Sequence, residues 1–209
     1  MSDQSYERAL AVHFWAPLEL IREVVPAMRA RREGRIVNIS SIGGIVSVPQ
    51  MLPYCASKFA LKGLSEGMHA ELAKEGIAVT TVCPGLMRTG SVDHAFFRGQ
   101  QSREHALFSI AAASPLLSMS ARRAAGKIVE ACVRRSPHLV LTWQAKLGSA
   151  LHGLAPGFIN HALAWVNRLL PPPAGALGEA REGRHVAPKL APSWLTVLND
   201  RAAVRYNET

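Results

Sequence analysis

The hydrophobic residues of the first thirty positions recur with the period of an α-helix. Apolar side chains lie three or four positions apart, which places them on one helical face. Asp3 can cap the start of this helix, arginines suit its carboxyl end, and Gly34 can stop it. The pattern therefore predicts a helix over residues 3–32, with Pro17 inside it and an apolar face formed by Leu10, Phe14, Leu18, Ile21, Val25 and Met28.

Three short runs rich in β-branched residues predict strands. They cover residues 35–41, 77–83 and 138–142, and they lack the strict alternation of a half-exposed strand, which is typical of buried parallel strands. Helical patterns at 54–74 and 120–135 separate them. Strands alternating with helices favour an α/β fold with a parallel, doubly wound sheet and flanking helices.

The rest of the chain is less regular. Residues 90–118 have no clear period, whereas 143–170 are predicted to be helical with a break at Pro156-Gly157. A Pro- and Gly-rich stretch follows, and then a short helix over 193–206 that Trp194 docks. We predict a core domain at 1–142, an appended helical segment at 143–170, and a flexible linker with a terminal helix at 171–209. The appended segment either packs on the domain or lies in a membrane interface.

Composition narrows the function classes. The chain has 209 residues, 48% of them hydrophobic, so one folded domain is expected. The three cysteines have no metal-ligand spacing, and we predict no metal site, a reduced cytoplasmic setting, no signal peptide and no spanning helix. The net charge of +9 favours a solvated basic surface, with attraction to anionic lipid as the alternative. Scattered basic residues without a binding motif argue against nucleic acid as a partner.

A candidate proton-transfer pair stands at the start of the second predicted helix. Tyr54 and Lys58 are four residues apart, one turn along the same helical face. A free phenol has a pKa of about 10, and a nearby ammonium group favours the phenolate, so Lys58 is predicted to lower the pKa of Tyr54. Y-x-x-x-K alone occurs by chance on many helices. The sequence on either side makes the motif more specific. The predicted strand before it ends in Ser40-Ser41, and the predicted strand after it is followed by Pro84-Gly85.

In these motifs the chain resembles the short-chain dehydrogenase/reductase family. The resemblance rests on I-V-N-I-S-S, on a serine 13 residues before Y-x-x-x-K, and on P-G-x-x-x-T after the next strand. The family's T-G-x-x-x-G-x-G turn and N-N-A-G stretch are absent. The resemblance covers about residues 3–137 and implies a partial Rossmann-like fold that lacks the N-terminal half of its sheet. We therefore expect the chain to correspond to the C-terminal part of such an enzyme.

The resemblance also implies roles for individual residues. Tyr54 is the acid/base, Ser41 binds the substrate oxygen, and Lys58 lowers the pKa of Tyr54 and binds the nicotinamide ribose. His13 stands where the family usually has Asn. Either its main-chain carbonyl, left free by Pro17, holds a relay water, or His13 is only a half-buried helix residue. The remaining cofactor contacts that the resemblance implies are made by Tyr54 itself and by Pro84, Gly85, Met87 and Thr89.

The activity implied by the resemblance is hydride transfer between NAD or NADP and a hydrophobic alcohol or ketone. A homo-oligomer is implied if the chain is complete. Because a dinucleotide is anchored mainly at the glycine-rich turn, we expect the 209-residue chain alone to bind neither cofactor and to be inactive. Two other classes stay open. One is a non-catalytic fragment or pseudoenzyme that pairs with a partner supplying the missing strands, and the other is a peripheral membrane-associated protein.

Overall fold

The computed structural model describes residues 2–97, 100–170, 181–186 and 190–208. Its helices are Asp3–Leu10 (α1), Ala16–Ala30 (α2), Leu52–Leu72 (α3), Ser91–His94 (α4), Gln101–Ala113 (α5), Ala121–Val133 (α6), Trp143–Leu154 (α7), Pro156–Leu169 (α8) and Ser193–Arg205 (α9). Its strands are Gly34–Ile39 (β1), Ile77–Pro84 (β2), Leu86–Arg88 (β3), Phe96–Phe97 (β4), Ser118–Ser120 (β5), His138–Leu141 (β6) and Arg181–Glu182 (β7). A π-helical turn, Ala11–Trp15, joins α1 to α2, and 3-10 turns lie at Ile42–Gly44, Ala73–Glu75 and Gly183–His185.

The three predicted strands form one parallel sheet in the order β1-β2-β6. The register pairs Ile39 with Val82 and Val82 with Leu139, so the carboxyl ends of all three strands meet at one edge. The central strand β2 is the most buried, with Val79, Val82 and Cys83 fully inaccessible to solvent. The predicted α/β class with a parallel sheet is therefore confirmed.

Helices α2 and α3 cover one face of this sheet with apolar side chains. Their contact with β1 and β2 is a buried cluster that also receives Val25, Met28 and Met68 from its margin. The 3.6-residue period of α2 places Ile21, Val25 and Met28 on this inner face, as the sequence predicts. The cluster itself consists of Ile21, Ile36, Leu72, Ile77 and Val79.

A buried polar bridge fixes α3 relative to both strands. The Ser65 hydroxyl, fully buried on α3, accepts a hydrogen bond from Asn38 Nδ2 of β1 at 3.0 Å. It also bonds Thr81 Oγ1 of β2 at 2.7 Å. Because a buried polar group without its partner is costly, this bridge favours one register of α3 on the sheet.

The chain divides into two compact units that interleave along the sequence. The first comprises residues 1–85 and 125–160, and the second comprises 86–124 and 161–209. The second unit contains α4, α5, α9 and two short strand pairs, β3–β5 and β4–β7. A small core of Val92, Ala112 and Val186 lies within it. The predicted boundaries after residues 142 and 170 stay a prediction.

Two predictions for the second unit are wrong, and a third is only partly testable. Residues 101–113 are helical rather than irregular, because α5 buries small and polar side chains that leave no apolar period to detect. Trp194 does not dock α9: its side chain is 73% exposed, and Asn199, Ala202 and Ala203 are buried instead. Most of the predicted linker lies outside the described residues. Its described part, 181–186, forms β7 and a 3-10 turn.

We predict that Gly76→Ala destabilises the protein, whereas Gly63→Ala does not. Gly76 follows α3 with φ of 79°, and a Cβ there would lie 2.1 Å from the carbonyl oxygen of Arg32. Gly63 lies within α3, and an added Cβ would meet nothing within 4 Å. Urea denaturation should show the free energy of unfolding falling by about 2 kcal/mol or more for Gly76→Ala. For Gly63→Ala it should rise by roughly 0.5–1 kcal/mol. Equal effects would contradict the described helix end.

Candidate active site

The two serines that follow β1 have different surroundings. Ser40 is 4% exposed, and its hydroxyl donates to the carbonyl oxygen of Lys58 at 2.8 Å. The hydroxyl of Ser41 instead forms a side-chain hydrogen bond with Tyr54 and accepts from the Gly43 amide at 3.1 Å. The structure thus brings Ser41, and not Ser40, to the phenol of Tyr54. This agrees with the choice made from the 13-residue spacing, although the catalytic role of Ser41 stays a prediction.

A close approach of the 3-10 turn to α3 shapes the site. A Cβ on Gly44 would lie 2.5 Å from Ser40 Oγ and 2.7 Å from the carbonyl oxygen of Lys58. A Cβ on Gly43 would lie 3.1 Å from the ring of Tyr54. Glycine at 44 therefore allows the turn to lie directly on the first helical turns of α3, which closes the site from that side.

Tyr54 and Lys58 lie on one side of α3, as their spacing predicts. The ammonium nitrogen of Lys58 is 5.8 Å from the centre of the Tyr54 ring and donates to the carbonyl oxygen of Ile39 at 3.1 Å. Burial lowers the pKa of Lys58. The site therefore holds a phenol, an amine and a serine hydroxyl at the carboxyl edge of the sheet, where ligands of α/β proteins bind.

The predicted lowering of the Tyr54 pKa is wrong for this chain. Burial is the largest cause and raises the pKa of Tyr54 above its usual value, while the hydrogen bond with Ser41 opposes this rise. The Lys58 ammonium, which donates to the Ile39 carbonyl, is not among the groups that shift the Tyr54 pKa here. Tyr54 is consequently a neutral phenol at pH 7, ready to donate a proton.

His13 contacts the helical turn that carries Tyr54. Its ring meets the Tyr54 ring edge to face, with centres 5.4 Å apart. Its Nδ1 lies 2.8 Å from Ser57 Oγ, and that hydroxyl donates to the carbonyl oxygen of Tyr54 at 2.8 Å. Because the Ser57 proton is committed to this carbonyl, Nδ1 carries the hydrogen and Nε2 is an acceptor. Burial, aided by the Lys58 charge, lowers the pKa of His13 to about 4, so the imidazole is neutral at pH 7.

The backbone around His13 departs from a regular helix. Residues 11–15 form a π-helical turn that ends two positions before Pro17, which has no amide hydrogen to continue the α-helical pattern. Single π-helical turns inside α-helices are frequent at functional sites. The imidazole of His13 is half-buried and lies 2.8 Å from Ser57 Oγ, so both interpretations of His13, a relay-water carbonyl and a half-buried helix residue, stay predictions.

Ser57 is a site residue that sequence reasoning missed. It is fully buried and links His13 to Tyr54, which lie 41 positions apart in the chain. Its only local signal is its place directly before Lys58 in Y-C-A-S-K. No spacing rule connects it to His13, because that contact depends on α3 packing beside the π-helical turn.

The predicted cofactor residues fall into two groups. Pro84 ends β2, and Gly85 donates its amide hydrogen to the carbonyl oxygen of Leu141 at 3.1 Å, within the same unit as Tyr54. Met87 and Thr89 belong to the second unit, where Met87 pairs with Met119 in β3–β5 and the Thr89 hydroxyl bonds that of Ser91 at 2.8 Å. Their predicted contacts with a nicotinamide stay predictions.

Thr142 is a second residue that the sequence did not single out. Its φ of 73° and ψ of 149° are a combination found almost only in glycine, yet it is buried and its hydroxyl caps α7 at the amide of Ala145. A Cβ on Gly85 would lie 2.3 Å from this hydroxyl and 3.2 Å from Ala145 Cβ. The start of α7 is therefore packed directly on the Pro84-Gly85 turn.

Within the ranges that the structure describes, no group of three or more His, Cys, Asp or Glu side chains is arranged to hold a metal ion.

We predict that His13 makes stability depend on pH between about 4 and 6.5. The unfolded chain takes up a proton on His13 near pH 6.5, but the folded chain does so only near pH 4. The stability that His13 contributes is therefore complete above pH 6.5 and is lost as the pH falls toward 4. Urea unfolding from pH 4.5 to 7.5 should show a smaller slope for His13→Asn than for the native chain.

The control for this experiment is His161→Asn, because His161 is exposed on α8. That variant should keep the native slope. Some slope should remain in His13→Asn, since burial also lowers the pKa of His138. An unchanged slope in His13→Asn would contradict the buried, neutral imidazole.

Comparison with known proteins agrees with this geometry. Residues 1–97 match the family model described as short chain dehydrogenase. The human dehydrogenase/reductase SDR family member 7 is 38% identical over 91 residues, which are 43% of this chain and 27% of that protein. A fatty acyl-CoA reductase of Acinetobacter baylyi is 31% identical over 174 residues, 83% of this chain and 54% of that protein.

Solved structures show the same fold. A short-chain dehydrogenase from Streptomyces avermitilis has a TM-score of 0.62 and 27% identity, over 80% of this chain and 63% of that one. A 4-hydroxyisoleucine dehydrogenase complexed with NADH has a TM-score of 0.52 and 27% identity, over 67% of this chain and 59% of that one. The chain thus spans less than two thirds of each of these four proteins. Over residues 1–97, which carry the Tyr54–Lys58 pair and the serines before it, the chain matches the short-chain dehydrogenase family.

Proposed function

We propose that this protein is an oxidoreductase that transfers hydride between a nicotinamide cofactor and the carbonyl/alcohol pair of a hydrophobic substrate. The observation that carries the proposal is the grouping of Ser41, Tyr54, Lys58 and His13 at the carboxyl edge of the sheet. In carbonyl reduction the cofactor supplies the hydride. The protein has to supply a binding edge, a proton donor and a hydrogen-bond donor, which are here the sheet edge, the phenol and its hydroxyl partner.

Tyr54 is suited to deliver the proton in the reducing direction. Its raised pKa keeps the phenol protonated at pH 7, so it can donate to a carbonyl oxygen that gains negative charge. The Ser41 hydroxyl, already bonded to Tyr54, is placed to donate a second hydrogen bond to the same oxygen. After the transfer, the new phenolate is stabilised by the nearby Lys58 ammonium. In the oxidising direction the same groups act in reverse.

The donor set fits the nicotinamide end of such a cofactor. Lys58 offers an ammonium group for ribose hydroxyls, and Gly85 leaves the carboxyl end of β2 without a side chain. The sequence holds no T-G-x-x-x-G-x-G turn for a pyrophosphate, so these residues account for the nicotinamide end alone. The 4-hydroxyisoleucine dehydrogenase, complexed with NADH, supports a cofactor of this class.

A substrate with a long apolar part is supported by one of the relatives. The Acinetobacter protein, named as a fatty acyl-CoA reductase, aligns over 174 residues and so extends well beyond the region matched by the family model.

A second candidate function rests on the open edge of the sheet. In the described part of the chain, β1 is paired with β2 on one side and with no strand on the other. An unpaired strand edge is a template for another strand, so a non-catalytic chain that binds a strand-bearing partner remains a candidate. Turnover that depends on Tyr54 separates the enzyme from this alternative.

We predict that Tyr54→Phe lowers kcat by about 10²–10⁴-fold, the usual contribution of a general acid. The assay uses residues 1–209 preceded by a family N-terminal half that carries the glycine-rich turn, with a panel of hydrophobic ketones and alcohols. The fold should persist, because the ring remains and only the hydroxyl bond with Ser41 is lost. Turnover within a few-fold of the parent would reject Tyr54 as the acid.

We predict that the two serines separate into a catalytic and a structural residue in the same assay. Ser41→Ala should lower kcat by about 10²–10³-fold, because a donor to the developing oxyanion is removed. Ser40→Ala should leave kcat within a few-fold but lower the free energy of unfolding by about 1–2 kcal/mol, because it removes a buried hydrogen bond to Lys58. The reverse pattern would show that Ser40 faces the substrate.

A further inference from the structure

Helix α7 turns its apolar residues away from the protein. Trp143, Leu147, Leu151 and Leu154, here called the α7 stripe, lie on one side of the helix and are 61%, 51%, 42% and 85% exposed. Ala145 lies on the opposite side and is only 3% exposed. A helix that packs on its own domain normally does the reverse, with large apolar side chains inward.

Helix α8 shows the same feature along its length. Phe158, Trp165 and Leu169, here called the α8 stripe, share one side of the helix and are 70%, 65% and 86% exposed. None of its fourteen residues, all of which the structure describes, is buried. Isolated helices of this length are marginal in water, so an apolar face left in solvent calls for an apolar surface to cover it.

The charge around the two stripes indicates which surface that is. Residues 131–170 contain four Arg or Lys residues and no Asp or Glu. Two of them, Lys146 and Arg168, lie on α7 and α8, and the Arg168 guanidinium stacks 4.8 Å from the Trp165 ring. A second copy of this segment would bring like charges together, whereas anionic headgroups would neutralise them.

We propose that the α7 and α8 stripes bind the interface of an anionic phospholipid bilayer. Of the helices in the described ranges, none is both long and apolar enough to cross a bilayer, so each of the two helices binds by itself, lying along the interface. The tryptophans occupy the headgroup level, leucine and phenylalanine side chains enter the acyl region, and Lys146 and Arg168 contact phosphates. The binding is independent of the proposed redox chemistry, because no stripe residue belongs to the candidate active site.

The test is flotation of the full chain with vesicles of phosphatidylglycerol and phosphatidylcholine in a density gradient. We expect the native chain to float with mixed vesicles and to bind at least tenfold less to pure phosphatidylcholine. Phe158→Ser/Trp165→Ser/Leu169→Ser should lower the partition coefficient at least tenfold, and Leu147→Ser/Leu151→Ser/Leu154→Ser should do the same. All six side chains are exposed, so circular dichroism should show an unchanged fold.

The matched control is Val129→Ser/Val133→Ser on α6, whose side chains are 61% and 62% exposed. This variant should float like the native chain. Failure of the native chain to float overturns the proposal, as does equal loss in the α6 control. Light scattering that shows a dimer dissociated by the stripe variants, without vesicle binding, would assign the stripes to a second copy instead. Dehydrogenase activity does not enter any of these readouts.

Discussion

The site depends on how the first turns of α3 are held against the end of β1. Two hydrogen bonds run between them in opposite directions: Ser40 Oγ donates to the Lys58 carbonyl, and Lys58 Nζ donates to the Ile39 carbonyl. Gly44 admits the intervening turn at a distance that a methyl group would block. Catalytic groups act only when they are tightly placed. This junction brings Ser41 and Tyr54, which are 13 positions apart in the sequence, next to each other.

Burial at this junction then determines the protonation of the site. The same packing that positions Tyr54 removes it from water and raises its pKa, while it lowers the pKa of His13. The chain from His13 through Ser57 to the Tyr54 carbonyl consists of neutral groups with defined donors. Tyr54 is thus a neutral phenol bonded to Ser41, with the Lys58 ammonium nitrogen 5.8 Å from its ring centre.

Local patterns made the strands, the long helices and the Tyr54–Lys58 pair predictable from sequence. Periodicity and a four-residue spacing are properties of a single helix or strand, so they can be recognised in the sequence without the tertiary structure. The pKa of Tyr54, the His13–Ser57 contact and the strained Thr142 could not be predicted. Each depends on what another element removes from water or brings near, and the sequence does not encode such contacts by spacing.

The same limit explains the errors in the second unit. Helix α5 buries His105, Ser109, Ala112 and Ala113, so its inner face carries no hydrophobic period. In α9 a large aromatic residue is exposed while small residues pack, which reverses the usual expectation from size. The outward stripes of α7 and α8 are a related case. The sequence predicts that both segments are helical, but only the structure shows which side of each helix faces solvent.

The most direct test of this account is the ionisation of Tyr54, measured by NMR with ¹³C-labelled tyrosine. Tyr54→Phe assigns the signal among the three tyrosines of the chain. The account predicts that Tyr54 ionises above the ordinary value of about 10. It also predicts a further rise in Ser41→Ala, because the hydrogen bond that favours the phenolate is lost. Ionisation at or below about 10, or no response to Ser41→Ala, would contradict the buried, Ser41-bonded neutral phenol.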